Sequence, residues 1–222
     1  MTATTTNQLT WLRVEQRLAV RACEDSPLWL WRREFPAGIL DSVHFPKRFS
    51  NPFARLAHGR WCLSRASRDF ELSAAGGAFY IEWTLAEGEE VCFHYDRLIA
   101  FSDTLALTTI LNTQAAALYT LSPFYSVARG PGRLLFKVAG DPPTLEDPLD
   151  QPVVIPERLI AWSRDCLFEP IATPGILNFY FAQPSLKVVS AHRIVLDAHV
   201  PRGTETLAGD LWHYMKRLLR PW

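Results

Sequence analysis

A seven-residue phrase occurs twice in this chain, first as Asp96-Arg97-Leu98-Ile99-Ala100-Phe101-Ser102 and again, 61 residues on, as Glu157-Arg158-Leu159-Ile160-Ala161-Trp162-Ser163. Five positions are identical, and the other two exchange acid for acid and aromatic for aromatic. Self-similarity at a fixed spacing points to one structural unit used twice. It therefore constrains the fold more than any single motif does. In each copy the four residues after Arg are apolar on both alternating faces, as expected of a strand covered on both sides by a second sheet or a partner subunit.

The surrounding sequence reads mostly as strands. Phe79, Ile81, Trp83 and Leu85 alternate with Tyr80, Glu82 and Thr84, the period-two pattern of a strand with one buried face. Glu87-Gly88-Glu89 is a turn, after which Val91 and Phe93 resume the alternation. Two β-rich runs, 125–129 and 133–138, flank Gly130-Pro131-Gly132 and predict a hairpin. Ile176 to Phe181 and Arg193 to Val200 are expected to add two strands, and Asp141-Pro142-Pro143 marks a loop. Two stretches have helical spacing. Trp11, Val14 and Leu18 share one side of a helix over Leu9 to Ala22, and Leu207, Leu211, Tyr214, Met215 and Leu218 predict an amphipathic helix over 206–222. The expected organisation is a flexible tail (1–8), a β domain (9–205) with repeat units at about 79–118 and 124–170, and the C-terminal helix.

Charge narrows the choice of partner. Twenty-three basic and 23 acidic residues cancel, which removes a bulk electrostatic reason to bind nucleic acid. The cancellation is uneven along the chain. Residues 1–70 hold 11 Lys/Arg against 6 Asp/Glu and residues 71–222 hold 12 against 17, so the two parts carry +5 and −5. This favours attraction within the fold or between subunits. Cys23, Cys62, Cys92 and Cys166 are widely spaced, with no Cys-x-x-Cys pair and no secretory leader before them. Free thiols in a reducing cytoplasm are the expectation, with no metal and no cofactor. Residues 104–128 are uncharged, but their Thr, Asn and Gln content is too polar for a spanning helix.

No constellation reaches catalytic specificity. Gly130-Pro131-Gly132 precedes a strand, whereas a phosphate-cradling loop opens a helix. There is no Gly-x-Ser-x-Gly elbow, and Cys62, near Arg60 and Arg65, reads as a structural thiol. His192 and His199 have odd separation, which puts them on opposite faces of a strand. The Asp-Arg and Glu-Arg leads of the repeated phrase read as structural ion pairs. Trp29 and Trp31 share a strand face, and with Trp61 they form the candidate ligand or interface aromatics. Lys216, Arg217 and Arg220 flank the apolar stripe of the C-terminal helix, which is suited to docking across a sheet or to an anionic membrane surface.

Leu85-Ala86-Glu87-Gly88-Glu89-Glu90-Val91 followed by Leu98-Ile99-Ala100-Phe101, together with the glycine turn at 130–132, resembles the altered-inheritance-of-mitochondria family. The resemblance covers about residues 79–170. It implies a fold like that of the tryptophan RNA-binding attenuation protein: a mainly β scaffold of repeated antiparallel sandwich or barrel units, often bacterial or mitochondrial, without established enzymatic activity or cofactor. The second copy departs from the pattern, with Leu149-Asp150-Gln151-Pro152 in place of the Gly-Glu turn. Fold alone transfers neither tryptophan nor RNA binding. The expected function is a non-enzymatic β scaffold that contacts itself or another protein. A Trp-based ligand module and a peripheral membrane protein, cytoplasmic or mitochondrial, remain the alternatives.

Overall fold

The computed structural model describes residues 8–12, 17–22, 27–31, 42–44, 63–66, 68–73, 78–94, 97–111, 124–139, 144–146, 153–155, 158–171, 185–190 and 193–197. They form eighteen strands. The first six are β1 (Gln8–Leu12), β2 (Arg17–Val20), β3 (Leu28–Trp31), β4 (Ser42–His44), β5 (Leu63–Ala66) and β6 (Phe70–Ser73). The next six are β7 (Ala78–Leu85), β8 (Glu90–Phe93), β9 (Leu98–Ser102), β10 (Ala106–Leu111), β11 (Phe124–Arg129) and β12 (Gly132–Ala139). The last six are β13 (Thr144–Glu146), β14 (Val153–Val154), β15 (Leu159–Ser163), β16 (Leu167–Pro170), β17 (Leu186–Ser190) and β18 (Arg193–Leu196). The protein is mainly β, its strand pairs are antiparallel, and no helix occurs among the described residues. The expected helix at 206–222 and the expected strand at 176–181 lie outside them.

Four sheets result: a seven-stranded one (β1-β7-β12-β9-β3-β5-β4), a six-stranded one (β10-β11-β8-β15-β18-β13), a three-stranded one (β14-β17-β16) and a two-stranded one (β2-β6). Three apolar clusters stack them. Ile81, Trp83, Phe101, Leu134 and Phe136 of the seven-stranded sheet pack on Val91, Phe93, Ile160 and Val195 of the six-stranded sheet. The opposite face of the seven-stranded sheet, with Leu30, Tyr80, Ala100 and Leu135, meets Val20 and Phe70 of the two-stranded sheet. The far face of the six-stranded sheet, with Cys92, Val127, Trp162 and Ile194, meets Val154, Leu186 and Val188 of the three-stranded sheet. Both large sheets are thus interior layers. This explains why β9 and β15 are apolar on both faces, since alternate residues serve different cores.

The pairing follows a recurrent scheme. Among β7–β12, β7 pairs β12, β12 pairs β9, β8 pairs β11 and β11 pairs β10. Among β13–β18, β13 pairs β18, β18 pairs β15, β14 pairs β17 and β17 pairs β16. Among β2–β6, β2 pairs β6, β3 pairs β5 and β5 pairs β4. The segments are joined by β3 with β9 and by β8 with β15. Details coincide around the repeated phrase. The β9 ladder passes from Leu98↔Phe136 to Ala100↔Leu135, bulging at Ile99, and the β15 ladder passes from Leu159↔Leu196 to Ala161↔Val195, bulging at Ile160. Arg97 N–H donates to His94 O and Arg158 N–H to Ile155 O; Leu105 N–H donates to Ser102 O and Cys166 N–H to Ser163 O.

Two sequence expectations require correction. Leu9 to Ala22 is not a helix but supplies β1 and β2, which pair with β7 and β6. The controlling period is two: Val20 and Ala22 are buried while Arg21 between them is exposed. The two runs around Gly130-Pro131-Gly132 do not pair as a hairpin, because β11 lies in the six-stranded sheet and β12 in the seven-stranded one. The turn crosses between layers beside a second crossing, the β7–β8 turn, where Gly88 adopts a φ of 81°. Gly130 N–H donates to Glu89 O, and the crossings lie so close that a Cβ on Gly130 would stand 2.1 Å from Ala86 O.

Candidate functional site

The chemistry-bearing side chains of the described residues gather where successive segments join. At the β3–β9 junction, Asp103 N–H donates to Pro27 O, and the Trp29 indole N–H donates to Asp103 Oδ1. At the β8–β15 junction, Arg164 N–H donates to Glu90 O, and the Arg164 guanidinium bonds the Glu90 carboxylate. Arg129 Nε lies 4.0 Å from the same carboxylate. The anion beside it holds the Arg164 guanidinium above its ordinary pKa. Arg129 and Arg164 are both exposed, so this cluster aligns the layers with little net stabilisation.

A more buried polar centre closes the same junction. Asp197, 1% exposed, follows β18 and receives Arg97 Nη2 at 3.0 Å on Oδ2. Arg158 Nε–H donates to Asp197 O at 2.7 Å, and Asp197 N–H donates back to Arg158 O at 2.7 Å. The arginines of the two repeated phrases therefore converge on one residue. Asp96 and Glu157, the acidic partners in those phrases, lie outside the described residues.

Beside this centre is an aromatic and thiol cluster. Trp162 contacts the His94 ring at 5.5 Å, Tyr125 at 5.7 Å and Phe168 at 6.1 Å. Burial pushes the Cys92 thiol up to about 12, beyond what the Arg164 cation offsets, and pushes Tyr125 up as well. A thiol held neutral at physiological pH is neither a nucleophile nor a metal ligand. Cys166 is also buried, with Sγ 3.7 Å from Arg193 O. Among the described residues, no group of three His, Cys, Asp or Glu is placed to hold a metal. A cleft between layers, lined by Val20, Leu28, Glu82, Ala100, Arg133 and Leu135, has room for no more than about one water.

Of the sequence candidates, Trp29 is partly buried, packs against the central apolar cluster and has its N–H engaged. Trp31 lies in β3 with its side chain outside the description, as is all of Trp61. Lys216, Arg217 and Arg220 are also outside the described residues, so the structure does not bring these candidates together. Sequence reasoning missed Asp197, which stands in no motif. It also missed a second surface. Among the described residues the exposed large apolar side chains are Val153 (59%), Leu167 (56%), Ile171 and Val189, and all belong to the three-stranded sheet or its end. Val153 stands opposite Lys187, which stands opposite Glu169, so this outer face mixes apolar side chains with one opposed charge pair. No described helix is long and apolar enough to cross a membrane.

No family model matches the chain, and no curated protein matches it. Solved structures do match. One, the X-ray crystal structure of a Streptococcus pyogenes protein from a structural-genomics consortium, aligns over 94% of this chain and 100% of that one, with a TM-score of 0.57 and 12% identity. At that identity the likeness is one of fold.

Proposed function

We propose that this protein is a non-enzymatic β scaffold that works through protein–protein contacts and associates with itself. The observation that carries the reading is the outer face of the three-stranded sheet, where the exposed large apolar side chains of the described residues collect. Large apolar side chains left exposed on one sheet face, around a single charge pair, support an interaction surface there. The charged groups at the junctions serve internal contacts: Arg97 and Arg158 both bind Asp197, and Arg164 binds Glu90.

In this reading the chain consists of tandem units, β7–β12 and β13–β18 sharing four strand pairs and β2–β6 matching three of those four among the described residues. These boundaries differ from the 79–118 and 124–170 suggested by sequence pattern, because strands 124–129 and 106–111 pair within one unit. A tandem all-β arrangement fits the resemblance to the altered-inheritance-of-mitochondria family and its attenuation-protein-like fold. The amphipathic helix at 206–222 would then dock on the scaffold. Light scattering over a wide concentration range tests the reading. A mass that grows with concentration is expected; a strict monomer throughout would refute it.

A further inference from the structure

Resting on the reading of the outer face of the three-stranded sheet as a contact surface, and deepening it, we infer that the carboxy-terminal segment 206–222 of the same chain docks on that face as a helix. A second copy then has to displace it. The two outermost described layers differ in what they offer an apolar partner. The two-stranded sheet turns Val20 and Phe70 inward and leaves Arg21 and Glu71 exposed. The three-stranded sheet turns Val154, Leu186 and Val188 inward, while Val153, Leu167, Val189 and, just past β16, Ile171 are exposed.

The segment matches this face in pattern and size. As a helix, 206–222 gathers Leu207, Leu211, Tyr214, Met215 and Leu218 within an arc of about 100°, with Lys216 and Arg220 on the opposite side. From Leu207 to Leu218 that stripe runs about 16 Å along the helix axis. Strands β16 and β17, of four and five residues, run about 13–17 Å. A helix is also about as wide as three paired strands.

Reach then selects the face. Asp197 follows β18 in the six-stranded sheet, the layer directly beneath the three-stranded one. Stacked sheets lie about 10 Å apart and a helix adds about as much again, so the axis of the docked helix stands about 20 Å from the six-stranded sheet. Residues 198–205 extend to about 26–29 Å, which is enough. The outer face of the two-stranded sheet would place the helix about 30 Å away, past the edges of two intervening sheets, and a linker of that length does not reach it. Tethering gives the segment an effective concentration on the order of millimolar, so it holds the face against a second copy in dilute solution and yields as concentration rises.

The test uses the full chain with Tyr214 replaced by the photocrosslinker p-benzoylphenylalanine, irradiated as a mixture of ¹⁵N-labelled and unlabelled copies and mapped by mass spectrometry. Adducts should fall on β14, β16, β17 or residue 171 and join peptides of the same isotope. Adding Val153→Lys and Leu167→Lys, both at exposed positions and checked for folding by circular dichroism, should reduce these adducts about fivefold or more. Adducts confined to other parts of the chain, or none, would overturn the docking. Adducts of mixed isotope would assign the segment to a second copy and would also overturn it. Separately, Leu211→Lys with Leu218→Lys in the full chain should tighten association about tenfold in light scattering, because the face is released. Same-isotope adducts on the sheet in a protein that stays monomeric at every concentration would refute self-association and leave the docking standing.

Discussion

Asp197 ties together two arginines that the sequence places 61 residues apart, and its removal has a definite cost. Asp197→Ala leaves the Arg97 cation facing a buried site without its carboxylate, 3.0 Å away in the native protein. Losing one partner of a largely buried pair should cost about 3 kcal/mol of unfolding free energy, read from urea denaturation. Arg158→Ala should cost less, about 1–2 kcal/mol, because Arg158 donates to a backbone carbonyl of Asp197. Cys92 gives a pH signature. Unfolded, its thiol ionises near 9, and folded it keeps its proton to about 12. The stability linked to that proton is complete below pH 9 and is lost as pH rises from 9 to 12. Native Cys92 should accordingly resist iodoacetamide at pH 8.5 and react once urea unfolds the chain, with mass spectrometry locating the adduct. The sequence pointed to Arg97 and Arg158 as ion-pair positions because each enters a buried strand beside an acid. It did not reveal Asp197, since a partner brought in by the far end of another strand leaves no local pattern.

At the scale of single elements, the repeated phrase yields strands whose two faces serve different cores. Ala100 faces the cluster shared with the two-stranded sheet, and Ala161 faces the one between the two large sheets. Both are essentially unexposed. Ala100→Val and Ala161→Val should each destabilise by about 1–3 kcal/mol through overpacking, measured by thermal denaturation. The crossing at Gly130 is tighter still. A methyl group there meets Ala86 O and Leu85 Cβ at 2.1 and 2.9 Å, so Gly130→Ala should cost about 2 kcal/mol or more. Strand existence was legible wherever alternation was clean, as at 79–85 and 133–138. Partner choice was not. A turn such as Gly130-Pro131-Gly132 reads the same whether it folds a ribbon onto itself or carries the chain from one layer to the next. Helical spacing at Trp11, Val14 and Leu18 misled because three apolar residues are too few to fix a period, and pairing of Gln8–Leu12 with β7 and of Arg17–Val20 with β6 selects the extended form on either side of residues 13–16.

At the scale of the molecule, the described residues form a stack of four layers with apolar cores between them, and their large exposed apolar side chains lie on the outer face of the three-stranded layer. The division of charge was legible in the sequence, and the stack was not, because layer order depends on which distant strands share an edge. That sharing also governs how the molecule comes into being. The seven-stranded sheet draws its central strands from β3, β9, β12 and β7, so it is incomplete until Ala139 has been synthesised, and the six-stranded sheet waits for Leu196. A nascent chain emerging in order therefore holds β3 and β5 ready with one edge open, and each new segment completes its predecessor's sheet while opening the next. Because each large sheet joins strands far apart in sequence, its formation is expected to be limited by the closure of long loops.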